Sequence, residues 1–192
     1  MTLRALLLAA PGAGKGTQGT RLAEHYHVPH LATGDLLRKH VADGTSIGQT
    51  AQGFMDRGDL VPDALVLELV GTAIAGPPPL EGFVLDGFPR TLEQAESAFR
   101  WGQDRARTFH AVVSLRVGTD ELVRRLLHRG AEAGRMDDNE VTIRARLDVY
   151  ERLTEPLLAF YRDRGILVAV DGTGAVDEIF DRILTAIAPH VD

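Results

Sequence analysis

The run Ala9-Ala10-Pro11-Gly12-Ala13-Gly14-Lys15-Gly16-Thr17 lies between an apolar stretch and a helical one. That context suits a phosphate loop. Small residues let successive backbone N–H groups converge on phosphate oxygens. The helix that follows adds its positive dipole end. Lys15 would sit on the β- and γ-phosphates of a nucleotide as a point charge, and Thr17 would bring a hydroxyl near Mg²⁺. The strict pattern G-x-x-x-x-G-K-[ST] asks for Gly at position 9 and Ser or Thr at position 16. Ala9 and Gly16 stand there instead. If position 9 needs a positive φ, alanine costs roughly 1–2 kcal/mol; if it is extended, the cost is small.

A second cluster is Asp86-Gly87-Phe88-Pro89-Arg90, just after the apolar run Gly82 to Leu85. Strand ends are where ligands bind in α/β proteins, so Arg90 reads as an anion ligand. A carboxylate at Asp86 can hold the waters of Mg²⁺, which keeps much of its hydration. Other charged residues read more plainly. Arg124 and Arg144 read as surface partners of nearby carboxylates. Asp137 and Asp138, with Glu140, read as the N-terminal cap of a helix. His25 and His27 are two apart, which does not put them on one helical face, so with His30 they read as a surface turn rather than a metal site.

These residues need elements to hold them. Strands are expected over Leu3 to Leu8, Val28 to Ala32, Gly82 to Leu85, His110 to Val117 and Ile166 to Val170. Helices are expected over Lys15 to Tyr26, Leu36 to Ala42, Ile47 to Arg57, Ala64 to Ala75, Leu92 to Trp101, Asp120 to Arg129 and Val176 to Ile187. Asn139 to Arg164 reads as helical with a break near Pro156. Gly76-Pro77-Pro78-Pro79 reads as a stiff connector, because proline lacks a donor and fixes φ. Continuous apolar strands suit a sheet covered on both faces. The fold expected is α/β, three-layered, with a parallel sheet of five strands. Residues 1–192 form one domain. Thr33 to Val61 (33–61) and Gly130 to Asp138 (130–138) break the βαβ rhythm and read as two small insertions over the active edge.

Composition narrows the class further. The chain has 192 residues, enough for a sizeable single core. Apolar residues make up 44% and charged residues 25%, ordinary values for a globular protein. The net charge of −6 argues against nucleic-acid binding by the chain as a whole. Cysteine is absent, which excludes disulfides and cysteine-ligated zinc. No run of 18 apolar residues offers a membrane span. Arg4 is followed by six apolar residues, short of the roughly 7–15 of a secretory core.

Taken together, PGAGKGTQ (Pro11 to Gln18), HLATGDLLR (His30 to Arg38), GDLVPD (Gly58 to Asp63), LDGFPRT (Leu85 to Thr91) and GRMDDNE (Gly134 to Glu140) resemble the ordered motifs of the adenylate kinases, within the nucleoside monophosphate kinases. The resemblance covers nearly the whole chain. It departs at Ala9, where the family usually has glycine. It implies a short-lid, P-loop enzyme of the cytoplasm, a monomer, that moves the γ-phosphoryl group of ATP to AMP with Mg²⁺. No zinc, nucleic acid or membrane partner is expected.

The same resemblance implies roles for particular residues. Gly12, Ala13, Gly14, Lys15, Gly16 and Thr17 would bind the ATP phosphates. Thr33, Arg38, Asp59, Leu60 and Val61 would form the AMP pocket. Gly87, Phe88, Pro89 and Arg90 would contact AMP, with Arg90 on its phosphate. Gln94 would read the adenine edge. Arg129 would act on the donor side, Arg135 and Arg146 would clamp the transferring group, and Asp86 would orient the Mg²⁺ hydration shell. Gly174 matches an adenine-contacting position, and Arg125 is a weaker candidate one turn before Arg129. Arginine suits such work, since its planar fork binds phosphate bidentately. The nearest rival, a UMP/CMP kinase, typically has Ala at the position of Thr33 and Asn at that of Gln94. A glutamine offers a donor and an acceptor to adenine's N6 and N1 edge, which favours AMP. A nucleotide sensor without turnover is the rival outside catalysis. A GTPase switch lacks its N-K-x-D guanine motif here.

Overall fold

A computed structural model describes residues 2–133 and 139–191. Its five strands are β1 (Arg4–Leu8), β2 (His30–Ala32), β3 (Phe83–Asp86), β4 (Ala111–Arg116) and β5 (Leu167–Asp171). They form one sheet in the order β2-β3-β1-β4-β5, and every neighbouring pair is parallel. β1 is therefore central. The chain passes from β1 to one side of the sheet and returns from β3 to the other, so the order reverses around β1. Ligands of α/β proteins sit at such a reversal, beyond the carboxyl ends of the strands.

The strands alternate between two apolar layers, as a period of two requires. From β1, Ala5 and Leu7 enter a core with Leu22, Leu126, Ile143 and Ile183. Leu6 and Leu8 enter the other, with Leu37, Leu69, Ala95 and Leu157. Each leucine or isoleucine among them, fully buried, contributes about 1.5–3 kcal/mol relative to exposure. The double coverage explains why these strands read as continuous apolar runs.

The helices are α1 (Lys15–Tyr26), α2 (Thr33–Ala42), α3 (Ser46–Arg57), α4 (Asp63–Ala75), α5 (Leu92–Asp104), α6 (Thr119–Ala133), α7 (Glu140–Val149), α8 (Leu157–Arg162) and α9 (Val176–Val191). A π-turn, Tyr150–Thr154, links α7 to α8. Caps are local and legible. Thr45 accepts from Gly48 N at 3.1 Å, and Thr91 accepts from Gln94 N at 3.2 Å. No helix among the described residues is long and apolar enough to cross a membrane.

Several boundaries differ from the sequence expectation. Residues 130–133, read as part of a loop, continue α6 instead. One glycine costs a helix only about 1 kcal/mol, and the Ala-Glu-Ala that follows Gly130 favours helix. The cap of α7 is Asn139, whose Oδ1 accepts from Thr142 N at 3.0 Å, not the preceding aspartates. Residues 134–138 lie outside the described residues. α2 begins at Thr33 rather than Leu36, directly off β2. α9 runs through Pro189 to Val191.

Candidate active site

The carboxyl ends of β1 and β3 are side by side, with Leu7 paired to Asp86. From these two ends the site is built. A cleft of about 670 Å³ opens above them. Gly12, Gly14, Lys15, Gly16 and Thr17 line it from the loop between β1 and α1. Gly12 has φ 83°, and a Cβ there would lie 2.9 Å from Leu122 O and from Leu126 Cγ. Only glycine lets the loop turn this closely over α6. Ala13 turns away from the cleft and is buried in the core.

Ala9 resolves the alternative left open by its motif. Among the described residues the non-glycines with positive φ are His27 and Ala106. Ala9 therefore carries no left-handed strain, and its methyl is buried in the apolar core.

Lys15 Nζ donates to Ala9 O at 2.8 Å and to Ala10 O at 3.1 Å. Burial pulls its pKa from 10.5 down to about 8. Asp86 opposes that shift, while Arg90, Arg129 and Arg146 reinforce it. Arg90 is lowered too, chiefly by burial, with Asp86 opposing and Arg146 and Arg38 adding to it. Among the described residues, Lys15 thus has Arg90, Arg129 and Arg146 near it, and Asp86 faces both Lys15 and Arg90. Positive charges gathered in a partly desolvated site favour an anionic ligand there.

The other end of the cleft is lined by Thr33 and Arg38 of α2 and by Asp59, Leu60 and Val61 after α3. Gly87, Pro89, Arg90 and Gln94 complete it. Phe88 does not face the cleft; it is buried in the second apolar core. Thr33 Oγ1 donates to Asp86 O at 3.1 Å, joining the start of α2 to the end of β3. Gly87 has φ 84°, and a Cβ there would collide with Thr33 Oγ1. Arg90 is fixed at three points. Its Nε donates to Gly87 O at 2.7 Å, its N donates to Gln94 Oε1 at 2.7 Å, and its O accepts from Thr154 Oγ1 at 2.9 Å. Arg38 pairs with Asp35 one turn back at 2.5 Å, and Asp59 pairs with Arg57 at 2.9 Å.

Arg129 of α6 and Arg146 of α7 also line the cleft. So does Arg125, whose Nε donates to Glu121 at 2.6 Å and whose Nη1 donates to Gly172 O at 3.2 Å. That second bond ties α6 to the loop after β5. Gly174, in the same loop, lies outside the cleft lining, with φ 104° and Glu178 beside it. Arg135 lies outside the described residues. Arg124 pairs with Glu121 and Arg144 with Glu140 on the surface, as their spacing suggests. Hydrogen bonds from Arg124 and Arg125 hold Glu121 down to about 2.

Comparison with known proteins decides the family. The adenylate kinase family profile matches residues 7–166. The chain belongs to the adenylate kinase family. It is 48% identical over 182 residues to the adenylate kinase of Thermus thermophilus, covering 95% of each chain. It is 47% identical over 188 residues to that of Parasynechococcus marenigrum, covering 98% of this chain and all of the relative. With the adenylate kinase of Kocuria rhizophila identity is 44% over 184 residues, 96% of this chain and 98% of the relative.

For this adenylate kinase family member, sequence reasoning assigned no role to two residues beside the site. Thr154, buried on the π-turn, reaches Arg90 across 64 positions. Asp63 reaches Gln94 across 31. No local pattern announces either contact, although a π-turn is frequent at functional sites. Tyr150 begins that turn and lines the cleft, and burial, with Glu155, pushes its hydroxyl up to about 12.

Proposed function

We propose that the chain catalyses reversible transfer of the γ-phosphoryl group of ATP to AMP, giving two ADP. The observation that supports it is one continuous cleft. It holds a phosphate loop at one end, a buried glutamine amide at the other, and Lys15, Asp86, Arg90, Arg129 and Arg146 along its lining. Relatives of nearly equal length are named adenylate kinase.

The chemistry asks little covalent work of the protein. An anionic oxygen of the AMP phosphate attacks the γ-phosphorus in line. The bond from that phosphorus to the β-bridging oxygen breaks, and ADP leaves with its electron pair. The attacking oxygen already lacks a proton at pH 7, so no general base is needed. Gly12, Ala13, Gly14, Gly16 and Thr17 turn N–H groups onto the donor phosphates, and Lys15 adds its charge. Arg90 and Arg38 hold the acceptor phosphate. Arg129, Arg135 and Arg146 neutralise the group in flight. Thr33, Asp59, Leu60, Val61, Gly87, Phe88 and Pro89 shape the acceptor pocket, and Gln94 reads the base. Gly174 meets the donor base, and Arg125 is a weaker candidate on the donor side beside Arg129.

Mg²⁺ fits the donor set. Asp86 and the Thr17 hydroxyl face the same cleft, and a hard, hydrated cation takes such oxygens through water. Held there with the triphosphate, it would supply neutralisation of phosphate charge. Residues 33–61 act as the acceptor lid and residues 130–138 as a short donor lid, and their closure excludes water. The enzyme works as a cytoplasmic monomer in nucleotide homeostasis.

A phosphate-transfer assay tests this reading. ATP with Mg²⁺ is offered AMP, UMP, CMP and GMP in turn, and diphosphate formation is measured. Strong ADP formation with AMP and little product with the others is expected. Preference for UMP or CMP would overturn the role of Thr33 and Gln94. Nucleotide binding with no transfer would make the protein a sensor.

A further inference from the structure

We propose that Asp63 sets the base selectivity of the acceptor pocket by locking the Gln94 amide in one orientation. The inference deepens the reading above and rests on Gln94 meeting the acceptor base. Asp63 opens α4 and is not part of the cleft lining, so it acts through Gln94 as a positioning residue.

The amide is buried and held at both ends. Gln94 is 2% exposed. Its Oε1 accepts from Arg90 N at 2.7 Å, and its Nε2 donates to Asp63 Oδ1 at 2.5 Å. The second carboxylate oxygen of Asp63 accepts from Thr91 Oγ1 at 3.3 Å, which holds the carboxylate in place. An ionised carboxylate can only accept, and a backbone N–H can only donate. Rotating the amide by half a turn would set its NH₂ against Arg90 N–H and its oxygen against the Asp63 carboxylate. Both bonds would become repulsions. The two anchors, one of each kind, therefore fix the polarity of a group whose shape alone leaves it ambiguous.

One lone pair on Oε1 and one hydrogen on Nε2 remain for a ligand. A 6-aminopurine presents a donor at N6 beside an acceptor at N1. A 6-ketopurine presents the reverse, an acceptor at O6 beside a donor at N1. Rotating the amide would let it accept the keto base. Asp63, with Arg90 N–H, opposes that rotation, so it helps discriminate between two purines of the same shape without touching either. Sites that leave a buried polar group unpaired reject a ligand far more strongly than sites that differ by a methylene.

The alternative is that Asp63 only places a negative charge near the N-terminus of α4. The experiment separates these. Steady-state kcat and KM are measured for AMP and for inosine monophosphate, with ATP saturating, in the native chain, Asp63→Asn, Asp63→Ala and Gln94→Ala. Asparagine is nearly isosteric but can turn either its oxygen or its NH₂ toward Gln94, so it removes the Asp63 half of the lock, leaves the Arg90 N–H half, and keeps a partner. Asp63→Asn is expected to cut the AMP-to-IMP ratio of kcat/KM about tenfold, the worth of one buried hydrogen bond. The change should appear in KM for the acceptor, with KM for ATP within about twofold of native. Asp63→Ala should raise KM for AMP as well. An unchanged ratio in Asp63→Asn, with Gln94→Ala collapsing it, would overturn this proposal alone. An unchanged ratio in Gln94→Ala too would overturn the base-reading role of Gln94 with it. If Asp63→Ala fails to fold, Asp63→Asn decides.

Discussion

At the Gln94 end of the cleft, local bonds are supplemented by partners far away in sequence: Asp63 for Gln94, Thr154 for Arg90 and Asp86 for Thr33. At the Lys15 end, the working groups are backbone amides and a lysine that rests on carbonyls of its own loop. Arg90 is held by Gly87, Gln94 and Thr154, and Gln94 in turn by Asp63. The difference follows from what each end must recognise. A base is told from its rivals by the sense of two hydrogen bonds, so the reading group must not turn. A triphosphate presents many equivalent oxygens and a high charge, so it needs a positive field and a backbone that can come close. Rigidity is spent at the acceptor end and charge at the donor end.

The hardest blow to this contrast is Arg90→Ala. The guanidinium belongs to both ends, fixed by the acceptor network and counted among the cations about Asp86. Its loss should lower kcat/KM for AMP by about 10³-fold or more, the scale of a lost arginine on a transferring phosphoryl group. The fold should persist, since Arg90 carries no core packing. Steady-state kinetics with a thermal melt checks both halves. Unchanged kinetics would remove Arg90 from the site.

The donor end should instead reveal itself through pH. Folding disfavours charged Lys15, because burial and three nearby arginines lower its pKa to about 8 from 10.5. The destabilisation is full below about pH 8 and fades as pH rises toward the unfolded value of 10.5. A bound triphosphate reverses that shift, so ATP binding takes up a proton above about pH 8. Affinity for ATP should then fall by about tenfold per pH unit across that window. Titration calorimetry at pH 9, in two buffers of different ionisation heat, reads the proton directly. Zero uptake would mean that Lys15 does not meet the phosphates. AMP affinity, governed by arginines that do not titrate there, should stay flat over the same range.

The contrast also explains what the sequence could disclose. The donor end is contiguous: Gly12 to Thr17 carry their function in neighbouring residues, and a strand and helix on either side complete the pattern. The five strands were legible for the same reason, since each apolar run is local. Arg124 and Arg144 could be set aside because their partners are three or four residues away. The acceptor lock was not legible, because Asp63, Gln94, Arg90 and Thr154 come from α4, α5, the segment before it and the π-turn. Their contacts exist only once β3 and the second core have brought those elements together. Gly130 misled in the opposite sense. Glycine in sequence suggests a break, but three good helix formers after it carry α6 on to Ala133.

The smallest expected effect is at Ala9, the position where the phosphate loop departs from its usual glycine. If the donor end depends on charge and close backbone, the residue at position 9 matters only if its Cβ strains the loop. It does not: φ there is outside the left-handed region, and the methyl is packed in the core. Ala9→Gly should therefore change the Kd for ATP by no more than about threefold, well inside the tenfold that a strain of 1–2 kcal/mol would permit. It should instead cost stability. Removing a buried methyl forfeits about 0.8 kcal/mol, and glycine adds about 0.5–1 kcal/mol of backbone entropy. Chemical denaturation and ATP titration on the one variant separate the two. Tighter ATP binding by tenfold or more, with no loss of stability, would mean that the methyl obstructs the loop in its nucleotide-bound form and that the donor end is shaped as tightly as the acceptor end.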